Sequence, residues 1–309
     1  MSAVHRVAVI QAASVPFRAE ATVEKATLLI HEAGAGGAQL VLFPEAFIGG
    51  YPKGCAFKTP VGARLPRSRD MFLDYFAGAI EVPGPETDRL CKACGETGVF
   101  GVIGIIERGG STLYCTVLFV DPWCGVVGKH RKLMPTGAER LIWGYGDGST
   151  LTTAESVAGR VGAVICWENY MPMLRMAMYG KGIHIYCAPT ADDRDTWVPT
   201  MRHIALEGRC YVLSACQYLR RDAFPDGYDC ELGDEPNLVL MRGGSMIVSP
   251  LGELLAGPHY DGEAILYADV DANEIIRGKY DFDVVGHYAR PDVFRLLVDE
   301  GEKRPWVSC

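Results

Sequence analysis

Gly37-Ala-Gln-Leu-Val-Leu-Phe-Pro-Glu45 and Gly182-Ile-His-Ile-Tyr-Cys-Ala-Pro-Thr190 decide the fold. Each follows a stretch of helical spacing, Ala21–Ala33 in the first case and Met171–Tyr179 in the second. Each of those stretches follows an apolar run, Val7–Gln11 and Val161–Cys166. A strand–helix–strand unit is thus written twice. Further runs rich in Val and Ile span Val99–Ile106, Leu113–Val120 and Tyr211–Ala215, and further helical stretches Thr87–Gly95 and Pro199–Gly208. Continuous rather than alternating apolar runs predict strands buried on both faces, and their alternation with helices predicts an α/β fold. Two such halves fit a two-sheet sandwich with helices outside. The same units occur in any α/β chain, so the likeness alone leaves the pairing of the halves open. After Leu251 the pattern predicts short strands around Gly252 and Gly262, then a helix over Asp271–Tyr280.

The chain has 309 residues, 49% of them hydrophobic and 22% charged, with a formal net charge of −8. That composition excludes low-complexity disorder. The acidic balance argues against a general nucleic-acid or anionic-membrane binder, since both need positive fields. The Val99–Ile106 run is far shorter than the roughly 20 residues of a membrane span. The first residues lack the basic and long apolar regions of a leader and read as a core strand. No Pro/Ser-rich linker divides the chain, which reads as one domain over 1–309 with 291–309 as a short tail, peripheral or in oligomer contacts. Eleven cysteines cannot all pair with one another. They are scattered through apolar segments, which predicts reduced thiols and a cytoplasmic protein.

Three reactive residues fall at the ends of apolar runs. Glu45 follows Leu40-Val-Leu-Phe and Pro44, and proline cannot continue a central ladder. Lys132 closes the basic cluster Lys129-His-Arg-Lys132 behind a strand-like Cys124–Gly128. Cys166 ends Val161-Gly-Ala-Val-Ile and precedes a turn into a helix. Open α/β sheets place ligand crevices at the carboxyl ends of their strands, so the three can converge. A thiol of ordinary pKa needs a base or a positive charge to attack at neutral pH. Glu45 can take its proton, Lys132 can stabilise the charge that develops on the attacked group, and the helix start adds partial positive charge. Taken singly, each also reads as a packed core thiol, a loop acid or part of a surface patch.

The words around these residues are specific. Leu42-Phe-Pro-Glu-Ala46, Lys129-His-Arg-Lys-Leu-Met-Pro-Thr136 and Val164-Ile-Cys-Trp-Glu-Asn169 resemble the three signature segments of the nitrilase superfamily of carbon-nitrogen hydrolases. The resemblance continues through Cys187-Ala-Pro-Thr-Ala-Asp192 and Gly286-His-Tyr-Ala-Arg-Pro-Asp292. Cys-Trp-Glu-Asn and Ile142-Trp-Gly look like its true nitrilase branch, similar to plant and bacterial members. It implies a four-layer α-β-β-α sandwich that dimerises to α-β-β-α-α-β-β-α, as a homodimer or a higher dimer-based oligomer. It implies a Glu45–Lys132–Cys166 triad, with Glu139 as a second glutamate that positions the lysine, substrate or water. The implied activity is hydrolysis of a small-molecule nitrile to carboxylic acid and ammonia through a thioimidate and a thioester, with no metal or organic cofactor. An amidase or a cyanide-hydrolysing enzyme of the same superfamily is the alternative, and a catalytically silent interaction protein a remoter one. Tyr51, Thr136, Trp143, Trp167, Tyr170, Pro189 and Trp197 are implied as pocket lining. Gly54-Cys-Ala-Phe57 departs from plant-like members, so the class of nitrile stays open.

Other motifs carry less. Cys91-Lys-Ala-Cys94 lacks the further ligands a zinc site needs and reads as core packing. No GxGxxG or GxxxxGK[ST] cradle occurs. His203 and Glu207, at i and i+4, read as a hydrogen-bonded pair.

Overall fold

The computed structural model describes residues 4–304. Residues 1–3 of the first-strand reading and the end of the tail, with Cys309, lie outside the described residues. In chain order the elements are β1 (Val4–Gln11), α1 (Ala19–Ala35), β2 (Leu40–Leu42), α2 (Pro66–Ala77), α3 (Pro85–Thr97), β3 (Phe100–Gly109), β4 (Thr112–Asp121), β5 (Gly125–Arg131), β6 (Thr153–Ser156), β7 (Gly159–Ala163), α4 (Pro172–Gly180), β8 (Ile185–Thr190), α5 (Trp197–Gly208), β9 (Tyr211–Cys216), β10 (Tyr218–Arg220), β11 (Val239–Val248), β12 (Leu254–Tyr260), β13 (Ala264–Asp271) and α6 (Ala272–Lys279).

The strands form two sheets. The first has the order β13-β1-β2-β3-β4-β5, the second β10-β11-β9-β8-β7-β6 with β12 also paired to β11. Each sheet is built on three parallel strands, β1-β2-β3 in one and β7-β8-β9 in the other. The two quoted passages are β2 and β8, each the middle strand of its triple. The repeat in the sequence is therefore a repeat in the fold, and antiparallel strands extend each triple on both sides.

Side chains that alternate along these strands sort into layers. Val7, Val9, Leu40 and Leu42 meet Val161, Ala163, Ile185 and Leu213 between the sheets. Ala8, Ile10, Val41 and Phe43 point the other way, onto Val23, Ala26 and Ile30 of α1 and Leu90 and Ala93 of α3. Tyr186, Ala188 and Val212 likewise pack on Leu174 and Met178 of α4 and Met201 and Ile204 of α5. The order is α-β-β-α, as the resemblance implied. Cys94 is buried in the α3 layer and Cys91 packs at its margin, so this pair serves the core.

Candidate active site

The site lies where β2, β5, β7 and β8 end. β2 stops because Pro44 has no N–H to donate. The chain then turns through Ala46, which has φ +50°. The turn is pressed against β3, and only glycine fits at position 104: a Cβ there would lie 2.0 Å from the Pro44 carbonyl oxygen. Glu45 is carried inward on this turn, and its own carbonyl accepts from Gln217 Nε2 at 3.2 Å.

β5 runs further than the sequence suggested, through Arg131, so the basic cluster alternates across a strand. Lys129 and Arg131 face one way and share Glu107, at 2.6 and 2.7 Å. His130 and Lys132 face the other way and are buried. The cluster is therefore no surface patch.

After β7, Val164 still donates to Cys187 O in β8 at 2.9 Å. The backbone then reverses at Cys166, with φ +52°, a left-handed conformation that costs a side-chain-bearing residue about 1–3 kcal/mol. The short helical turn Cys166–Tyr170 follows and leads into α4. Asn169 Nδ2 holds the reversal by donating to Val164 O and Cys166 O at 2.9 and 2.7 Å.

Four sequence-predicted residues meet here, all buried. Lys132 Nζ donates to Glu45 Oε1 and to Glu139 Oε2, each at 2.7 Å. An ammonium has three donors, so one N–H of Lys132 is left over. Glu139 also accepts from Tyr51 OH at 2.7 Å and from Thr136 N at 2.6 Å. Thr190 Oγ1 donates to Cys166 Sγ at 3.3 Å, and Cys115 Sγ donates to Glu45 Oε1 at 3.5 Å. Glu45 Oε2 is buried with no partner at hydrogen-bond distance among the described residues.

Burial alone would discharge Lys132, but the charges of Glu45 and Glu139 outweigh it and hold its pKa well above the ordinary value. Burial raises Glu45, against the pull of Lys132, and the nearby charge of Glu139 adds to the rise. Burial together with the Glu45 charge pushes the Cys166 thiol up to about 12, although Lys132 pulls it down. The sequence reading expected the helix start to activate this thiol, and here burial and two carboxylates win. The resting group is a thiol, and Glu45, a carboxylate poised to accept, is its neighbour. At about pH 8 the thiolate fraction is then on the order of 10⁻⁴. Alkylation of the Cys166 peptide by iodoacetamide, followed by mass spectrometry, is expected to accelerate about tenfold per pH unit between about pH 7 and 10. A plateau below about pH 9 would contradict this.

A cavity of about 260 Å³ opens on Cys166 and Glu139 and is lined by Tyr51, Lys53, Thr136, Trp167 and the Ala191–Arg194 segment. A second hollow of about 260 Å³ adjoins it through Tyr51, Thr136 and Glu139 and continues along Gly54–Phe57 to Leu141 and Ile142. Tyr51, Thr136 and Trp167 thus stand in the wall. Trp143, Tyr170, Pro189 and Trp197 do not. Trp143 is buried behind Tyr51, with its Nε1 on Tyr75 OH at 3.2 Å. Tyr170 packs against Trp167 on the outer side and bonds Thr200. Pro189 is buried within β8. Trp197 belongs to the core between α5 and the second sheet, with Nε1 on Ser214 Oγ at 2.8 Å. The sequence reading missed Lys53, Asp193 and Arg194. Asp192, quoted only within a matching segment, anchors this wall by accepting from Trp167 Nε1 at 2.8 Å and from Arg194 Nε at 2.7 Å. Cys55 lines the adjoining hollow.

Among the described residues no group of His, Cys, Asp and Glu is placed to hold a metal ion. His203 Nε2 instead bonds Glu207 at 2.9 Å, and Glu207 also takes Arg175 at 3.0 Å.

A profile of the carbon-nitrogen hydrolase family matches residues 6–280. An aliphatic nitrilase of Sinorhizobium fredii is 64% identical over 303 residues, covering 98% of each chain. A bifunctional nitrilase/nitrile hydratase of Nicotiana tabacum is 54% identical, covering 97% of this chain and 87% of its own. The solved structure of a carbon-nitrogen hydrolase from Helicobacter pylori superposes with a TM-score of 0.73 at 18% identity, covering 94% and 97%, which speaks to the fold alone. With the family profile spanning most of its length and relatives matching it nearly end to end, this chain belongs to the carbon-nitrogen hydrolase family.

Proposed function

We propose that this chain is a nitrilase that converts R–C≡N and two waters into R–COOH and ammonia. One observation carries the reading: a buried ammonium, fixed between two carboxylates with one donor unspent, stands beside a buried thiol at the wall of a small cavity. The identity to the Sinorhizobium fredii aliphatic nitrilase supports it. Glu45 takes the Cys166 proton as sulfur attacks the nitrile carbon, which gives a thioimidate. The spare N–H of Lys132 meets the charge growing on nitrogen. Glu45 passes that proton to the nitrogen and, a carboxylate again, activates a water that adds to the thioimidate; ammonia leaves, and a second water hydrolyses the thioester. Loss of the thiol instead of ammonia from the tetrahedral species yields an amide. Glu139, held by Tyr51 and Thr136, orients the lysine. Tyr51, Thr136 and Trp167 are the wall against which the nitrile's substituent lies.

We place the activity in one domain spanning the chain. Ten free thiols among the described residues support a reducing, cytoplasmic setting. Exposed Ile276, Tyr280, Phe294 and Leu297 support a dimer-based oligomer. The function is tested by ammonia release from matched panels of nitriles and amides and from cyanide. Acid and ammonia from nitriles, at rates well above those on the matched amides, are expected. Faster turnover of the amides makes the chain an amidase, cyanide alone makes it a cyanide hydrolase, and no ammonia from any panel removes the enzyme reading.

A further inference from the structure

Two groups around the site have no part in the reaction above: Glu168, next but one to Cys166, and His130, two residues before Lys132. Both are buried and form a pair, His130 Nε2 to Glu168 Oε2, at 3.0 Å. The same carboxylate accepts two backbone donors. Glu168 Oε1 takes the N–H of Leu133 at 2.6 Å, and Oε2 takes that of Ile165 at 2.9 Å. Leu133 follows Lys132, and Ile165 precedes Cys166. A single side chain therefore ties the peptide that carries the lysine to the peptide that carries the thiol, across two strands of different sheets.

The other side of the ring defines its protonation. His130 Nδ1 faces the Thr150 carbonyl oxygen at 3.1 Å. A carbonyl and a carboxylate only accept, so both ring nitrogens must donate and the ring is an imidazolium. In agreement, burial would lower the pKa of His130, but the charge and hydrogen bond of Glu168 outweigh it and raise it.

On the thiol side the tie acts at a strained turn of the backbone. Cys166 sits in the left-handed region, pinned on its carboxyl side by Asn169 and on its amino side by Glu168. Lys132 is pinned by its own N–H to Cys115 O at 2.8 Å; in its next peptide the carbonyl accepts from Gly146 N at 2.8 Å and the Leu133 N–H is held by Glu168.

We propose that Glu168, paired with the buried His130 imidazolium, is a positioning residue that sets the separation of Lys132 and Cys166. The pair does not touch substrate. The inference rests on the roles given above to Lys132 and Cys166, but not on the substrate being a nitrile.

The test measures kcat and KM for Glu168→Gln, His130→Gln and the double variant. It uses whichever of nitrile or amide the wild-type chain hydrolyses, so a failure of the nitrilase reading leaves the test intact. Rates are referred to folded protein, counted by gel filtration and circular dichroism. Displacement of reacting groups by about an ångström costs on the order of a hundredfold, so each single variant is expected to lose roughly 10- to 100-fold in kcat with KM within about threefold. The double variant is expected to match the worse single one, because the histidine acts through the glutamate. Should Glu168→Gln fail to fold, His130→Gln alone decides by the same criterion. An independent readout is ¹⁵N imidazole NMR of the wild-type protein, where both ring nitrogens of His130 are expected to be protonated near neutral pH. A single-variant kcat within about threefold of wild type, additive losses in the double variant, or a neutral His130 ring would each overturn the proposal.

Discussion

Lys132→Met is expected to reduce turnover by about 10³-fold or more and to destabilise the fold at the same time. The rate falls because the only cation touching Glu45 and Glu139 among the described residues is gone, and with it the donor that meets the charge on the attacked nitrogen. Removing one such preorganised donor costs about 10²–10³-fold where it has been measured, and here the proton acceptor Glu45 is disturbed as well. Stability falls because methionine fills the volume but leaves two buried carboxylates without their cation. Breaking a buried ion pair on one side costs about 3–5 kcal/mol. The loss depends on pH in a defined direction. Burial already raises Glu45 above its ordinary value, and without Lys132 it rises further. A group whose folded pKa is raised favours the folded state at low pH and loses that contribution as pH rises. The gap in urea-unfolding stability between variant and wild type is therefore wider near pH 8 than near pH 5. An equal gap at both would mean that the carboxylates do not depend on this lysine.

Cys166→Ala is expected to abolish acid and ammonia production, to below about 10⁻⁴ of wild type, while the protein stays folded. Alanine keeps a Cβ at the same left-handed backbone, so the local strain is unchanged, and losing one buried sulfur costs only about 1 kcal/mol. Acid quenching of the wild-type protein during turnover, followed by mass spectrometry, should reveal an adduct on the Cys166 peptide. The alanine variant should show none. Turnover above a tenth of wild type, or an adduct on another cysteine, would remove Cys166 as nucleophile. The other nine free thiols of the described residues make this a discriminating measurement.

The strands of both parallel triples were legible because each is buried on two faces, which writes them as unbroken apolar runs. α2 was not, since among its residues only Tyr75 is buried and its periodic signal is faint. β11 was hidden by Gly243-Gly244-Ser245 in its middle, where the glycines take positive φ and the pairing with β12 shifts register. Glu45, Lys132 and Cys166 stand out as polar residues where apolar runs stop, and this is why a sequence reveals them. The pocket wall is different. Whether a tryptophan faces a cavity or the core depends on which way its element is turned, and Trp197 begins a helix whose inner face meets the second sheet. Lys53 and Arg194 lie in loops, where no periodicity marks the residue that points inward. The height of the thiol pKa was also out of reach, because it follows from burial and from two carboxylates distant in sequence.

The buried trio of Glu45, Lys132 and Glu139 carries two negative charges and one positive. Moving a proton from Cys166 to Glu45 leaves the total over these three groups and Cys166 unchanged, since a thiolate replaces a carboxylate. Activation of the nucleophile is thus electroneutral within a region that admits little water and few ions. The step makes no change of net charge for dissolved salt to screen, and a nitrile group brings no charge of its own. A site buried in this way can run polar chemistry with little call on the solvent's dielectric response, which ties its barrier to the rigidity of its hydrogen bonds.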